Sequence, residues 1–263
     1  MTVPELPAAP RRRRRAGWGI VAVVLVVAVV VGLFVAEGAA RSYATDRIHD
    51  ELVTAFDLDT DHPMAIDLGG GLLLAQAAAG RIDSVDVAID DVPLGDLTGS
   101  VHLAGTGIPL DETAPTETLT ATATVDEENV AKLGDYLSGV DLDSISLGDG
   151  VIDVSATVSA LFLSVPVSAA IVPSADNGEL VFTPQSVTVN GAVVDIGDLS
   201  SGPLGDLASR FLGSQSFCIA QYLPAAITLE KVAVRGGDLV LGFAGSDVAL
   251  GGTGLSTKGT CPA

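Results

Sequence analysis

The sequence predicts an α+β fold: one N-terminal transmembrane helix, then an extracytoplasmic domain of antiparallel strands and amphipathic helices. Three observations carry that prediction. A charge-free apolar run fills residues 17–36 directly behind five arginines. From Met64 onward the hydrophobic period is two, as in half-buried strands. Segments of helical period interrupt those strands, which is the pattern of an α+β domain rather than of a purely β one.

Residues 1–16 form a basic tail. The first ten are rich in proline and alanine, a composition that stays disordered. The run 17–36 has the length to span a membrane, since a hydrocarbon core of about 30 Å needs about 20 apolar residues in a self-satisfied helix. By the positive-inside rule Arg11 to Arg15 stay in the cytoplasm, and residues 37–263 are delivered to the other side. The expected location is therefore the cytoplasmic membrane, single-pass, with the main domain outside. Gly38, Ala39 and Ala40 would also suit signal peptidase. The apolar run exceeds the usual signal-peptide core of about 7–15 residues, and Trp18 suits an interfacial position, so a retained anchor is the expectation and cleavage the alternative.

Beyond the anchor, Ala44, Ile48, Leu52 and Phe56 return at helical spacing between charged residues, which predicts an amphipathic helix over 39–56 continuing the membrane helix. Met64, Ile66 and Leu68 alternate with polar or small neighbours, and Val85, Val87 and Ile89 do so again; both stretches read as strands. Residues 94–103 extend the second one, with Gly95 and Gly99 as kinks, and 105–115 read as a loop. Leu119, Ala121, Ala123 and Val125 alternate with threonines as a further strand. Asp126 is placed to cap a helix striped by Val130, Leu133 and Leu137. A second β region covers 144–196, with Ile152, Val154, Ala156 and Val158 opposing Asp153, Ser155 and Thr157, and with Asn177-Gly178 as a hairpin turn. Pro203 opens a third helical pattern carried by Leu204, Leu207, Ala208, Phe211 and Leu212. Two last strands, around 227–234 and 239–243, flank a turn at Gly236-Gly237, before a glycine-rich tail.

The charge narrows the function classes. Past the arginine block the chain holds eight basic against 32 acidic residues, a net of -24. Such a surface repels phosphate backbones, which excludes nucleic-acid binding and leaves any anionic lipid to be gripped locally. Cys218 and Cys261 both fall on the exported side, where they are expected to form a disulfide; closing a loop of about 44 residues contributes roughly 4 kcal/mol in the chain-entropy model. Two free buried thiols are the alternative.

No catalytic motif stands out, and no cofactor or metal signature does. The chain lacks a Gly-x-Ser-x-Gly elbow, a His-Glu-x-x-His pair and a phosphate-cradling loop; Gly69-Gly70-Gly71 reads as a bend. His49, His62 and His102 are scattered over different elements and read as surface or structural groups. Asp57, Asp59 and Asp61 open like a calcium loop, but His62 and Leu68 stand where the loop needs glycine and a carboxylate. Aromatic residues make up 4% of the chain against 48% hydrophobic. Aliphatic strands of this kind either pack as a dry core, the default reading, or stand apart and hold acyl chains.

The stretch Gly71-Leu72-Leu73-Leu74-Ala75-Gln76-Ala77-Ala78-Ala79-Gly80-Arg81-Ile82-Asp83-Ser84-Val85, together with Leu223-Pro224, Ile227-Thr228-Leu229 and the glycine turn before Leu239-Val240-Leu241, resembles the LmeA-like phospholipid-binding proteins of the actinobacterial cell envelope. The resemblance implies a long, curled antiparallel sheet wrapped around helices in the manner of tubular lipid-binding folds. It also implies an elongated apolar cavity, a phospholipid or other acyl-chain ligand and no catalytic residues. On this reading Leu72, Leu73 and Leu74 form the mouth, Val154 and Val158 line the tube, and Arg81 contacts a phosphate. A surface arginine paired with Asp83 is the alternative role for Arg81. The competing functions are an envelope scaffold with a dry core and a hydrolase of envelope lipids or glycans.

Overall fold

The structure is a computed structural model that describes residues 15–94, 97–132, 142–160, 163–194, 215–251 and 253–261, with side chains described throughout except at 15–27, 158–160 and 163. Its first element, α1 (Arg15–Phe56), is one unbroken helix of 42 residues. Residues 28–36 are exposed all round, and burial starts at Glu37. From there the predicted stripe turns inward: Ile48, Leu52 and Phe56 pack on the buried Val87, Ile89, Val92 and Val101. Among the described residues no helix is long and apolar enough to cross a membrane. Most of the expected span, 17–36, lies on residues whose side chains are outside the description.

The strands form two six-stranded antiparallel sheets, where one long sheet was expected. The first runs β1 (Met64–Asp67), β2 (Arg81–Leu94), β3 (Leu97–Pro109), β4 (Thr118–Asp126), β12 (Asp238–Ser246) and β11 (Thr228–Arg235). The second runs β10 (Gln215–Cys218), β8 (Glu179–Val189), β7 (Leu163–Asp176), β6 (Ile152–Ala160) and β5 (Leu142–Leu147), with β9 (Ala192–Val194) also paired to β8. The split happens at α3 (Glu127–Lys132). Asp126 Oδ1 accepts the Asn129 N–H at 2.7 Å and starts the helix as predicted, and Glu127 Oε2 accepts the Leu147 N–H at 2.7 Å, so the chain crosses over to begin a new sheet. β11 and β12 return from the far end of the sequence to complete the first.

Two expectations are corrected in detail. Residues 105–109 belong to β3 and are not a loop. Glycines hid that strand, because they serve close approach there: a Cβ on Gly99 would lie 2.5 Å from the Thr124 carbonyl oxygen, and one on Gly105 would lie 3.0 Å from Ile108. The apolar turn at 72–74 opens a short helix, α2 (Leu73–Ala78). Gly95, Leu133, Leu137 and the helix expected from Pro203 lie outside the described residues. The turns behave as their residues dictate, with Asn177 and Gly178 at φ 50° and 80° and Gly236 and Gly237 at 62° and 90°, the left-handed geometry of tight hairpins.

Alternation gives each sheet one apolar face, and the two faces converge. Val125, Val234 and Leu239 of the first sheet join Leu147, Ile152, Val154 and Phe182 of the second in one cluster around Val130 of α3. Cys218 and Cys261 are bridged, with Cα atoms 5.7 Å apart. This ties the last segment, including α4 (Thr253–Ser256), to β10.

Candidate functional site

The most ordered polar arrangement lies where α1 meets the chain between β1 and β2. Asp67 Oδ1 accepts the Gly69 N–H at 2.6 Å, and Gly69 and Gly71 take φ of 68° and 92°, so the three glycines reverse the chain. A side chain has no room at Gly69, where a Cβ would run into the Ser84 hydroxyl. α2 then begins with no side-chain cap of its own. The cap comes from α1. Glu37, only 8% exposed, accepts the Leu73 N–H at 2.7 Å and the Leu74 N–H at 3.0 Å. These backbone donors, Leu74 first and then Leu73, together with Arg41, hold the Glu37 carboxyl below its ordinary pKa, as hydrogen bonds to a charged form do.

Arg41 closes the arrangement from one turn further along α1. Its Nε donates to Glu37 at 2.9 Å, and its terminal nitrogens donate to the Gly71 carbonyl at 2.6 Å and the Gly69 carbonyl at 3.4 Å. On the other side, Gln76 Nε2 donates to the Gly70 carbonyl at 2.9 Å while its Oε1 accepts the Asp83 N–H at 2.9 Å. The glycine turn and α2 are thereby stitched to both α1 and β2. The three predicted leucines divide: Leu73 is buried, while Leu72 and Leu74 remain 59% and 37% exposed.

The remaining predicted site residues lie apart from this junction. Arg81 starts β2 and faces two carboxylates, Asp83 at 3.8 Å and Glu117 at 3.4 Å, so its charge is engaged on the protein surface. Val154 packs against the cluster shared by the two sheets. The Val158 side chain is outside the description. Two cavities are defined among the described residues. One of about 490 Å³ lies beside the disulfide and is lined by Gly178, Cys218, Leu223, Ile227 and Lys258; the other, about 340 Å³, is acidic, with Asp90, Asp91, Asp126 and Asp238. Neither is lined by Leu72, Leu73, Leu74, Arg81 or Val154.

Beside the packed clusters, rows of partly buried apolar residues continue along both sheets. Leu103, Ala121 and Phe243 stand side by side on the apolar face of the first sheet, and Val154, Ala169 and Val187 on that of the second. Of these only Val187 is fully buried. A family model described as LmeA-like phospholipid-binding matches residues 35–244. The chain belongs to the LmeA-like phospholipid-binding family. Comparison with curated proteins and with solved structures gives no match.

The span matched by the LmeA-like family opens two residues before Glu37 and closes in β12, so the α1–α2 junction and the apolar face of the first sheet are both inside it, while Cys261 is not. Reasoning from sequence missed the roles of Glu37 and Arg41. Their signal was faint: both look like ordinary charges on an amphipathic helix, and their partners lie about 30 or more positions away. Gln76 was visible as part of the motif shared with the LmeA-like proteins, but its two-sided bonding was not.

Proposed function

We propose that the protein is a non-catalytic phospholipid-binding protein of the cell envelope, tethered by residues 17–36 to the outer face of the cytoplasmic membrane. Acyl chains bind against the facing apolar surfaces of its two sheets. Membership of a phospholipid-binding family supports the ligand class. The observation that carries the site is the apolar rows on the two sheets that stay only partly buried, with alanines at positions such as Ala121, Ala123, Ala156 and Ala169. A dry core of this size would bury larger side chains to native density. Lipid binding here needs no strongly cationic pocket, since each methylene taken from water contributes about 0.8 kcal/mol. That suits a domain in which Arg81 is already paired with carboxylates.

Native mass spectrometry of the full chain released from nanodiscs, followed by lipid extraction, tests the proposal. Phospholipid is expected to remain bound, and Ala121→Trp or Ala169→Trp is expected to lower the amount carried while the protein stays folded by circular dichroism. Folded protein that emerges lipid-free and takes up none from vesicles overturns the reading in favour of a scaffold with a packed core.

A further inference from the structure

We infer that the end of the first sheet where α1 enters is a membrane-contacting face, and that Leu72, Leu74, Leu110 and Leu250 dip into the leaflet that holds α1. The inference rests on the tether proposed above and adds to it the side of the body that meets lipid. Antiparallel register brings one set of strand ends together: the end of β1 at Asp67, the start of β2 at Arg81, the end of β3 at Pro109, the start of β4 at Thr118, the end of β12 at Ser246 and the start of β11 at Thr228. α1 arrives at this end, because Glu37 and Arg41 bond to residues 69–74. It departs at the other, where Phe56 and Leu58 pack beside Met64.

The loops at the entry end carry a concentration of exposed apolar side chains. Leu72 and Leu74 belong to the start of α2; Leu110 follows β3 and is fixed by its N–H bond of 2.9 Å to the Gly80 carbonyl; Leu250 follows β12, next to the Gly251 N–H bond of 2.7 Å to the Glu112 carbonyl. They are 59%, 37%, 51% and 39% exposed. Among the described residues, the other exposed large apolar side chains beyond α1 are Val193 and Phe217 on the second sheet and Tyr222, which also lies before β11. Soluble surfaces scatter such residues singly, and their convergence on one rim marks an interaction face.

The course of α1 chooses a lipid surface as the occupant. Residues 28–36 of α1 are apolar apart from Gly32, and exposed on every side, and Glu37, which holds α2, is the very next residue. At a rise of about 1.5 Å per residue, the first turn of α2 therefore lies within a few ångströms of where the apolar run stops. Carboxylates stand at both ends of the sheet, with Asp59, Asp61, Asp90, Asp91, Asp126 and Asp238 at the far end and Asp67, Asp111, Glu112, Glu117 and Asp247 at the entry end. Charge therefore does not choose between the ends; the exposed leucines next to the apolar run of α1 do.

The test uses the full chain in phospholipid vesicles, with Trp18, the only tryptophan, replaced by Phe. Single probes Leu72→Trp, Leu110→Trp and Leu250→Trp sit at exposed positions, and Asp61→Trp serves as the probe at the far end. Iodide in the water and phosphatidylcholine brominated on its acyl chains report opposite environments. The three leucine-site probes are expected to be quenched severalfold more by the brominated lipid, and severalfold less by iodide, than the Asp61 probe. Leu110 and Leu250 probes as open to iodide as the Asp61 probe overturn the inference, even if the Leu72 probe is shielded. Lipid retention measured on the same samples separates the two readings. Retained lipid with iodide-accessible Leu110 and Leu250 probes sinks the contact face alone; shielded probes on a lipid-free interior sink the binding function and uphold the face.

Discussion

At Glu37 one carboxylate accepts two N–H groups of a helix that begins 36 residues later. A short helix such as α2 cannot nucleate unaided, so its first turn depends on this distant acceptor. The pH dependence follows from the direction of the shift. Because the folded carboxyl titrates below its ordinary value of 4.5, its stabilising contribution is complete above that value and disappears as pH falls through the lowered one. Asp126, whose pKa is lowered chiefly by the Asn129 N–H, acts in the same sense at α3. Glu37→Gln keeps one carbonyl acceptor but loses the charge. Thermal melts are expected to show it less stable than the parent at neutral pH, with the gap closing in acid; a gap that persists unchanged at low pH would contradict the assigned role.

Among elements, α1 against β2 and β3 is the junction that holds the first sheet. Ile89 is fully buried beneath Ile48 and Leu52, and Ile89→Ala is expected to cost about 2–5 kcal/mol in denaturant unfolding. Leu72→Ser, at an exposed site, is expected to stay within about 0.5 kcal/mol of the parent in the same measurement. Periodicity made β2, β4 and β6 readable because one face of each is apolar and the other polar. It concealed the second half of β3, where Gly105 and Gly107 contribute no side chain to the pattern. It concealed α2 as well, since six residues are too few to display a helical period. Alternation also reports which face of a strand is buried but not which sheet the strand joins, and the division into two sheets turns on Glu127 reaching Leu147, a contact that no local pattern announces. The leucines at 72–74 were legible as an unusual apolar cluster; the carboxylate that exposes two of them and buries the third was not.

For the whole molecule, the Cys218–Cys261 bridge is the covalent tie between the tail and the second sheet. It frames the cavity that Lys258 and Gly259 share with Cys218, and Lys258 Nζ donates to the Tyr222 carbonyl at 2.9 Å across it. Reduction is expected to cost about 2–5 kcal/mol of stability, read as a lower melting temperature in the presence of reductant. An unchanged melting temperature with both thiols shown to be free would mean that the tail is held by its hydrogen bonds alone.

The unbroken course of α1 has a mechanical consequence. A helix of 42 residues is a stiff rod of about 63 Å, and its outer half is riveted to the body by Glu37, Arg41, Ile48 and Leu52. With its apolar half in a bilayer, the rod becomes a lever with no hinge at the water boundary. Thinner and thicker membranes tilt such a rod differently, and each degree of tilt would swing the sheets through the same angle. Under the tether proposed above, the bilayer's thickness would thus set the posture of the domain.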